Sequence, residues 1–273
     1  MRLSELGELG LLAELERRGL ATGIEHDVAE LGGGLVVTQD ALVEGVHFRL
    51  DWTGFRGLGY RAAAVNLSDL AAAGAEPLAL LVTLAVPAEL DLESVVELYE
   101  GLNEPGVPIA GGDTTSAQQL TLAVTAVGRS ERVPGRSGAQ PGDVLVVTGP
   151  LGGAGAAFRE GRHARPPLRL EEGRRLGAVA HALTDISDGL AIDAGHLATR
   201  SKCRLELELE QVPQAPGATI DDLGFGEDYE LLAATDDPLG FAVIGRCVEG
   251  AGVGISLDGE PVELAGWEHF HPR

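Results

Sequence analysis

Six aspartates of this chain lie beside glycine or serine, or where an apolar run ends: Asp27, Asp40, Asp69, Asp113, Asp185 and Asp188. Carboxylates in such places have no role in packing a core, and folds often present ligand-binding groups there. No cysteine or histidine cluster accompanies them, which favours hard cations such as Mg²⁺, held between carboxylates and substrate phosphates. The pattern therefore predicts Mg²⁺-assisted phosphoryl transfer.

Each candidate residue also has a structural alternative. Asp69 could be an ordinary polar helix position, Asp188 could cap the following helix, and Asp113 could belong to a turn. Arg136, in the glycine-rich turn GRSGAQPGD, is the best-placed cation for a bound nucleotide, but it could equally be a solvated linker arginine. Six carboxylates in comparable settings nevertheless favour one shared function.

The composition excludes several classes of protein. A formal net charge of −22 disfavours nonspecific binding to nucleic acid or to an anionic membrane, so a phosphate substrate would need cations beside it. Cys203 and Cys247 form no metal motif and are expected to be reduced, buried thiols. Because the sequence shows neither a signal peptide nor a long apolar segment, we expect a cytoplasmic protein.

Known nucleotide-binding and hydrolase motifs are missing from the sequence. It contains no P-loop, no protein-kinase motif set and no G-x-S-x-G nucleophile elbow. The run GGAGAAF resembles a dinucleotide fingerprint only weakly, because the full G-x-G-x-x-G is not there. Any phosphate site must therefore be built in another way.

Strand and helix patterns alternate through two halves of the chain. Strands are predicted at 35–38, 78–86, 107–110, 120–127, 143–148, 182–185, 205–209, 229–233, 242–245 and 253–257, and helices at 4–18, 57–73, 92–102, 170–180 and 189–199. Ser4 is the expected cap of the first helix, and 23–27 and 149–158 contain glycine turns. The aperiodic segment 128–142 is the expected domain boundary, which predicts two α/β or α+β domains.

Six motifs together resemble the thiamine-monophosphate kinase family. TQDALVEGVHF, YRAAAVNLSDLAAAGAEP, GGDTT, RSGAQPGD, DISDGL and GEDYEL stand in that family's order and rough spacing. The resemblance extends from about Asp27 to Phe270, and the whole set is far more specific than any single motif. The same superfamily includes aminoimidazole ribonucleotide synthetase, selenophosphate synthetase and the hydrogenase-maturation ATPase.

The resemblance implies an activity and a fold. Family members transfer the γ-phosphate of ATP to thiamine monophosphate with several Mg²⁺ ions, making thiamine diphosphate in the last step of its biosynthesis. The implied fold is α/β (α+β) with two domains. Residues 1–130 would form an ATP- and Mg²⁺-binding domain whose mixed sheet, flanked by helices, pairs in a homodimer, and residues 137–273 a C-terminal α/β sandwich domain.

The resemblance also assigns roles to single residues. The implied metal ligands are Asp27, Thr38, Gln39, Asp40, Asp69, Asp113, Asp185 and Asp188. Those expected at the reaction centre are Asp40, Asp69, Asp113 and Asp188. The implied nucleotide contacts are Tyr99, Gly112, Asp113, Arg136 and Ser187. The implied contacts to the thiamine substrate are His47, Glu227, Trp267 and Phe270.

Three positions depart from the family pattern. His26 replaces the first aspartate of the pair that ends in Asp27, and Gln39 replaces a threonine before Asp40. Phe225 separates two glycines that are usually adjacent. Two alternatives follow, namely a catalytically weakened nucleotide-binding protein or a sibling enzyme of the superfamily. Against the sibling enzymes, the first 30 residues contain no cysteine and the chain does not end in one.

Overall fold

The computed structural model describes residues 2–21 and 26–267. Its helices are α1 Leu3–Arg17, α2 Leu50–Ala72, α3 Leu92–Asn103, α4 Gly153–Arg159, α5 Leu170–Val179 and α6 Leu190–Ser201. Its strands are β1 Ala29–Gly32, β2 Leu35–Val43, β3 Glu76–Val86, β4 Ile109–Ser116, β5 Thr121–Arg129, β6 Val144–Val147, β7 Ala182–Asp185, β8 Arg204–Glu208, β9 Leu231–Thr235, β10 Ala242–Val248, β11 Gly252–Leu257 and β12 Glu260–Pro261.

The strands form two sheets, one in each half of the chain. The first has five strands in the order β1-β2-β5-β3-β4, and the second has seven in the order β12-β11-β8-β10-β6-β9-β7. Pairing is antiparallel except between β3 and β4 and between β8 and β11. Helices accompany both sheets, so the predicted two-part α/β (α+β) architecture is confirmed.

Helix α2 is buried between the two halves. From Leu58 to Ala72 every residue except Asp69 is buried. Leu70 packs in the core of the first sheet, whereas Ala72 packs with Leu183 of the second half. Small residues on a helix that is covered on several sides let neighbouring backbones approach closely. None of the helices within 2–21 and 26–267 is long and apolar enough to cross a membrane.

Two strands of the first sheet are longer than predicted. β2 continues to Val43 instead of ending at Thr38, because its antiparallel pairing with β5 runs to the end of both strands. β4 carries GGDTT in its middle, paired in parallel with β3. The turn interpretation of Asp113 is therefore wrong, because pairing with a distant strand overrides the local turn propensity of glycine and aspartate.

Two helix starts also differ from the prediction. Ser4 does not cap α1, because the helix begins one residue earlier and Arg2 is its N-cap, with the Arg2 N–H donating to the Glu5 carboxylate at 3.0 Å. α2 begins at Leu50 and contains a break at Gly54, where φ is 67°. Within the predicted 23–27 turn, residues 23–25 lie outside the described residues.

The crossing of α2 and α3 gives a stability prediction. A Cβ at Gly59 would overlap the carbonyl oxygen of Leu98, so the two backbones touch there. We expect Gly59→Ala to lower the free energy of unfolding by about 2 kcal/mol or more, because the helices must separate. Gly195→Ala in α6 is the control, since a Cβ there meets open space.

Chemical denaturation measures both variants. Gly195→Ala should leave the free energy of unfolding unchanged or raise it by up to about 1 kcal/mol through helix propensity. Equal effects of the two substitutions would contradict the close-contact explanation.

Candidate active site

A cleft of about 460 Å³ lies where the first sheet, α2 and the second half of the chain meet. Nine predicted site residues line it: Gln39, Asp40, His47, Asp69, Asp185, Ser187, Asp188, Glu227 and Trp267. They come from β2 and its following turn, from α2, from β7 and the turn after it, and from the segment before β9. Residues far apart in the sequence thus form one site.

Asp69 sits at the centre of the carboxylate end of the cleft. The Thr38 hydroxyl of β2 donates to Asp69 Oδ2 at 2.5 Å, which ties the helix to the strand. One turn earlier in α2, Asn66 Oδ1 accepts the Asp40 N–H at 3.0 Å. Asn66 and Asp69 share one helix face, as their i, i+3 spacing predicts. The α2 face that carries Asn66 and Asp69 therefore positions the carboxylates of Asp40 and Asp69.

Asp185 and Asp27 complete a group of three carboxylates with Asp69. Each offers an oxygen, and the three oxygens lie within 4.8 Å of one another. The Ser68 hydroxyl donates to Asp185 Oδ2 at 2.6 Å. Arg136 forms an ion pair with Asp27. The predicted nucleotide cation is thus at the edge of the carboxylate group.

Burial and the charges of neighbouring carboxylates raise the pKa values of Asp40, Asp69 and Asp185. Burial, followed by the charges of Asp40, Asp185 and Asp27, raises the pKa of Asp69 well above its usual range. Burial and then Asp27 raise the pKa of Asp185 to about 7. Burial is also the main cause of the raised pKa of Asp40. A bound cation stabilises the ionised form of such buried carboxyls more than that of exposed ones.

Asp193 holds the DISDGL turn in shape. Its Oδ2 accepts the N–H groups of Asp188 and Gly189 at 3.0 and 3.1 Å. The N-cap residue of α6 is Gly189, so Asp188 does not occupy the capping position that its structural alternative required. Sequence reasoning missed Asp193, although an aspartate in the first turn of a helix that follows glycine is a recognisable capping signal.

Aromatic side chains form another part of the cleft lining, the aromatic end, which includes Phe225 and Trp267. Phe225 and Trp267 line both the cleft and an adjoining apolar cavity of about 390 Å³, which Phe158 also lines. The Phe158 and Phe225 rings lie 4.9 Å apart, centroid to centroid. His47 also lines the cleft, and its ring is oriented by the Val43 N–H, which donates to His47 Nδ1 at 3.0 Å. Phe270 lies outside the described residues.

Three of the predicted nucleotide contacts do not line the cleft of their own chain. Tyr99 lies on α3 beside a separate surface depression. Asp113 and its neighbour Gly112 are exposed on β4. Strands β2 and β4 are separated by β5 and β3, which places them about 14 Å apart at the usual strand spacing.

Asp113 also faces the other side of the sheet. Its register partner on β3 is Thr83, which pairs with Ala123 on β5, which in turn pairs with Ala41 on β2. Register partners share a face, and Ala41 follows Asp40 directly, so Asp40 points to the opposite face. The roles of Tyr99, Gly112 and Asp113 stay predictions.

Comparison with known proteins identifies the family to which this chain belongs. The family model for the AIR synthase related protein N-terminal domain matches residues 25–130, and that for the C-terminal domain matches 140–237. The thiamine-monophosphate kinase of Aquifex aeolicus is 33% identical, over 99% of this chain and 100% of its own length. The chain belongs to the thiamine-monophosphate kinase family.

Two further matches agree with this family. The thiamine-monophosphate kinase of Mycobacterium tuberculosis (strain H37Rv) is 34% identical, over 98% of this chain and 93% of its own length. The solved structure of AaThiL complexed with AMPPCP and TMP has a TM-score of 0.88 at 32% identity, and the match covers 98% of this chain and 99% of that one. The resemblance found in the sequence motifs is therefore confirmed.

The family departures are located in and beside the cleft. His26 lies next to the carboxylates, where its Nδ1 accepts the Arg136 N–H at 3.4 Å. Gln39 is exposed and neighbours Asp40 on the opposite face of β2. Phe225, which breaks the glycine pair, contributes a ring to the aromatic end. None of the three displaces Asp40, Asp69 or Asp185 from the cleft.

Asp185→Asn tests the raised pKa of Asp185. Because the folded-state pKa is about 7, above the ordinary value of 3.8, this group contributes stability that is present below about pH 4 and lost as the pH rises through about 7. In metal-free buffer, the free energy of unfolding of the wild type relative to Asp185→Asn should fall by a few kcal/mol over that range. Urea denaturation at a series of pH values measures the difference.

Added Mg²⁺ provides the control for this experiment. It should reduce the fall at high pH in the wild type, because the cation binds the ionised carboxylates. A stability difference that does not change with pH in metal-free buffer would contradict the raised pKa.

Proposed function

We propose that this chain transfers the γ-phosphate of ATP to thiamine monophosphate and releases thiamine diphosphate and ADP. The observation that carries the proposal is a single cleft lined both by clustered carboxylates and by Glu227 with the aromatic side chains Phe225 and Trp267. A substrate that combines a phosphate with a cationic, aromatic body fits this lining. The matching structure of AaThiL, complexed with AMPPCP and TMP, supports both substrates.

The carboxylate end fits Mg²⁺. All its donors are oxygens, three of them converge within 4.8 Å, and burial makes their uncompensated charge costly. The residues that would hold the cations are Asp27, Asp40, Asp69, Asp185 and Asp188. Bound Mg²⁺ would neutralise phosphate oxygens and orient the two phosphates for displacement.

The side chains of the protein contribute to catalysis more by positioning the reacting groups than by acid–base chemistry. The acceptor is a phosphate that is already ionised near neutral pH, so no strong general base is needed. We expect direct transfer between the two bound phosphates, without a phosphoenzyme. The hydrogen bonds of Thr38 to Asp69 and of Asn66 to the Asp40 backbone fix the carboxylates before substrates arrive. Arg136 supplies positive charge beside Asp27 for the nucleotide phosphates.

The aromatic end would bind the organic part of thiamine monophosphate. Trp267 and Phe225 offer ring faces to the cationic thiazolium, an arrangement that cation–π attraction favours. Glu227 would accept a hydrogen bond from the amino group of the aminopyrimidine, and His47 lines the same cleft. The carboxylates and the aromatic side chains would thus bind different parts of one molecule.

We propose that residues 1–130 form the ATP-binding and dimerisation domain and that 137–273 form the second domain. The outer face of the first sheet supports a homodimer, because Leu81 is 40% exposed there. Asp113 belongs to the same face, away from its own chain's cleft. We infer that a second copy packed on this face would bring Asp113 to the neighbouring cleft, because Ala41 shares that face of the sheet and also lines the cleft.

The proposed reaction takes place in the cytoplasm, as the sequence predicts. Cys203 and Cys247 are both free and buried, which suits a reducing compartment. Fractionation of cells that express the chain, followed by the kinase assay, measures the location.

The decisive assay combines purified protein, ATP, Mg²⁺ and thiamine monophosphate and measures thiamine diphosphate. We expect Asp69→Asn to abolish turnover, because a neutral amide cannot replace the central carboxylate, while the melting temperature stays near that of the wild type. The control is Asp236→Asn, which changes an exposed aspartate outside the cleft. Near wild-type turnover of Asp69→Asn at saturating Mg²⁺ would contradict the metal-binding role, and no product from the wild type would contradict the function.

Mixing two inactive variants tests whether Asp113 of one copy contributes to the cleft of the other copy in the dimer. Asp69→Asn and Asp113→Asn should each be inactive alone. After unfolding and refolding together, the mixed dimers should restore about a quarter of wild-type activity, because half of the dimers are mixed and each regains one intact site. No recovery on mixing, although co-purification of variants that carry two different affinity tags shows mixed dimers, would mean that Asp113 contributes to the cleft of its own chain.

A further inference from the structure

Arg61 is a cation buried inside the protein. It lies on α2 and is only 1% exposed. Among the described residues none of its guanidinium nitrogens makes a well-directed hydrogen bond, yet Nη2 lies 2.6 Å from Glu227 Oε1. A fully buried arginine is costly unless a counter-charge compensates it, so this ion pair explains why Arg61 is tolerated there.

Glu227 is held in an unusual backbone conformation. Its φ is +60° and that of Tyr229 is +52°, values that non-glycine residues rarely adopt. The Glu227 N–H donates to the Ser187 carbonyl and the Tyr229 N–H to the Ile186 carbonyl, both at 2.9 Å. Such conformations persist where the surrounding structure fixes them, and they concentrate at ligand sites.

The two side chains differ in their access to the cleft. The Glu227 side chain is 27% exposed, whereas that of Arg61 is 2% exposed. Glu227 lines the cleft together with Trp267 and Phe225, and the Arg61 guanidinium lies behind it, with Cζ 5.9 Å from the centre of the Tyr229 ring. Arg61 can therefore influence a bound substrate only through its neighbours.

We propose that Arg61 is a positioning residue that holds the Glu227 carboxylate for the aminopyrimidine of thiamine monophosphate. The ion pair occupies Oε1, and Oε2 is left to accept a hydrogen bond from the amino group of the substrate. Because Arg61 comes from the first half of the chain and Glu227 from the second, the pair also fixes the two walls of the cleft at the substrate end. This inference rests on the proposed function.

Steady-state kinetics of Arg61→Met and Arg61→Lys test the role. Arg61→Met should raise KM for thiamine monophosphate by about tenfold, because it removes a charge-assisted contact, and change kcat and KM for ATP by less than about twofold. Arg61→Lys should recover part of the loss, because its ammonium keeps the charge. Arg246→Met is the control, since it removes an exposed arginine of β10 that pairs with Glu206 of the neighbouring strand β8 and does not line the cleft.

A double-mutant cycle shows whether Arg61 acts through Glu227. In the Glu227→Gln background, Arg61→Met should change KM for thiamine monophosphate by less than about twofold. A further tenfold loss in that background, or an equal rise of both KM values, would overturn the positioning role. If Arg61→Met does not fold, the same cycle with Arg61→Lys decides between these outcomes.

Failure of the proposed function would be distinct from failure of this inference. If the wild type makes no thiamine diphosphate, the function itself is wrong. If the wild type is active and Arg61→Met keeps its KM for thiamine monophosphate, only the role of Arg61 is wrong.

Discussion

The burial of α2 between the two halves of the chain is the constraint on which the cleft depends. A Cβ at Gly173 of α5 would overlap the Ala71 carbonyl oxygen, so the second half packs directly on the backbone of this helix. Polar side chains on α2 are consequently fixed by neighbours on several sides. Arg61, Asn66 and Ser68 are all buried, and each contacts a group that belongs to the cleft.

The clustering of carboxylates in the buried cleft is energetically unfavourable, because negative charges are brought together away from water. Asp27, Asp69 and Asp185 converge, and burial together with neighbouring carboxylates raises the pKa values of Asp69 and Asp185. The fold offsets part of this cost with hydroxyl donors from Thr38 and Ser68. The remainder suits a protein whose working state includes cations and polyanionic substrates.

Much of this arrangement could be predicted from local sequence. Apolar runs indicated β3 and β5, and the stripe of alanines with Asn66 and Asp69 indicated the polar face of α2. Asp185 and its neighbours were correctly expected at a strand end. Strand ends within the first sheet were less predictable, because β2 and β4 extend as far as their partners allow and polar residues in them have no local signal of that pairing.

The sequence by itself determined the chemical class of the ligand and, through its ordered motifs, the family. Only the tertiary structure decided which residues share the cleft, that Asp113 faces away from Asp40, and that Arg61 supports Glu227. The physical reason is that residue types fix charge, donors and coordination preference locally. The direction of a side chain depends on strand register and helix packing, which are set by contacts between segments far apart along the chain.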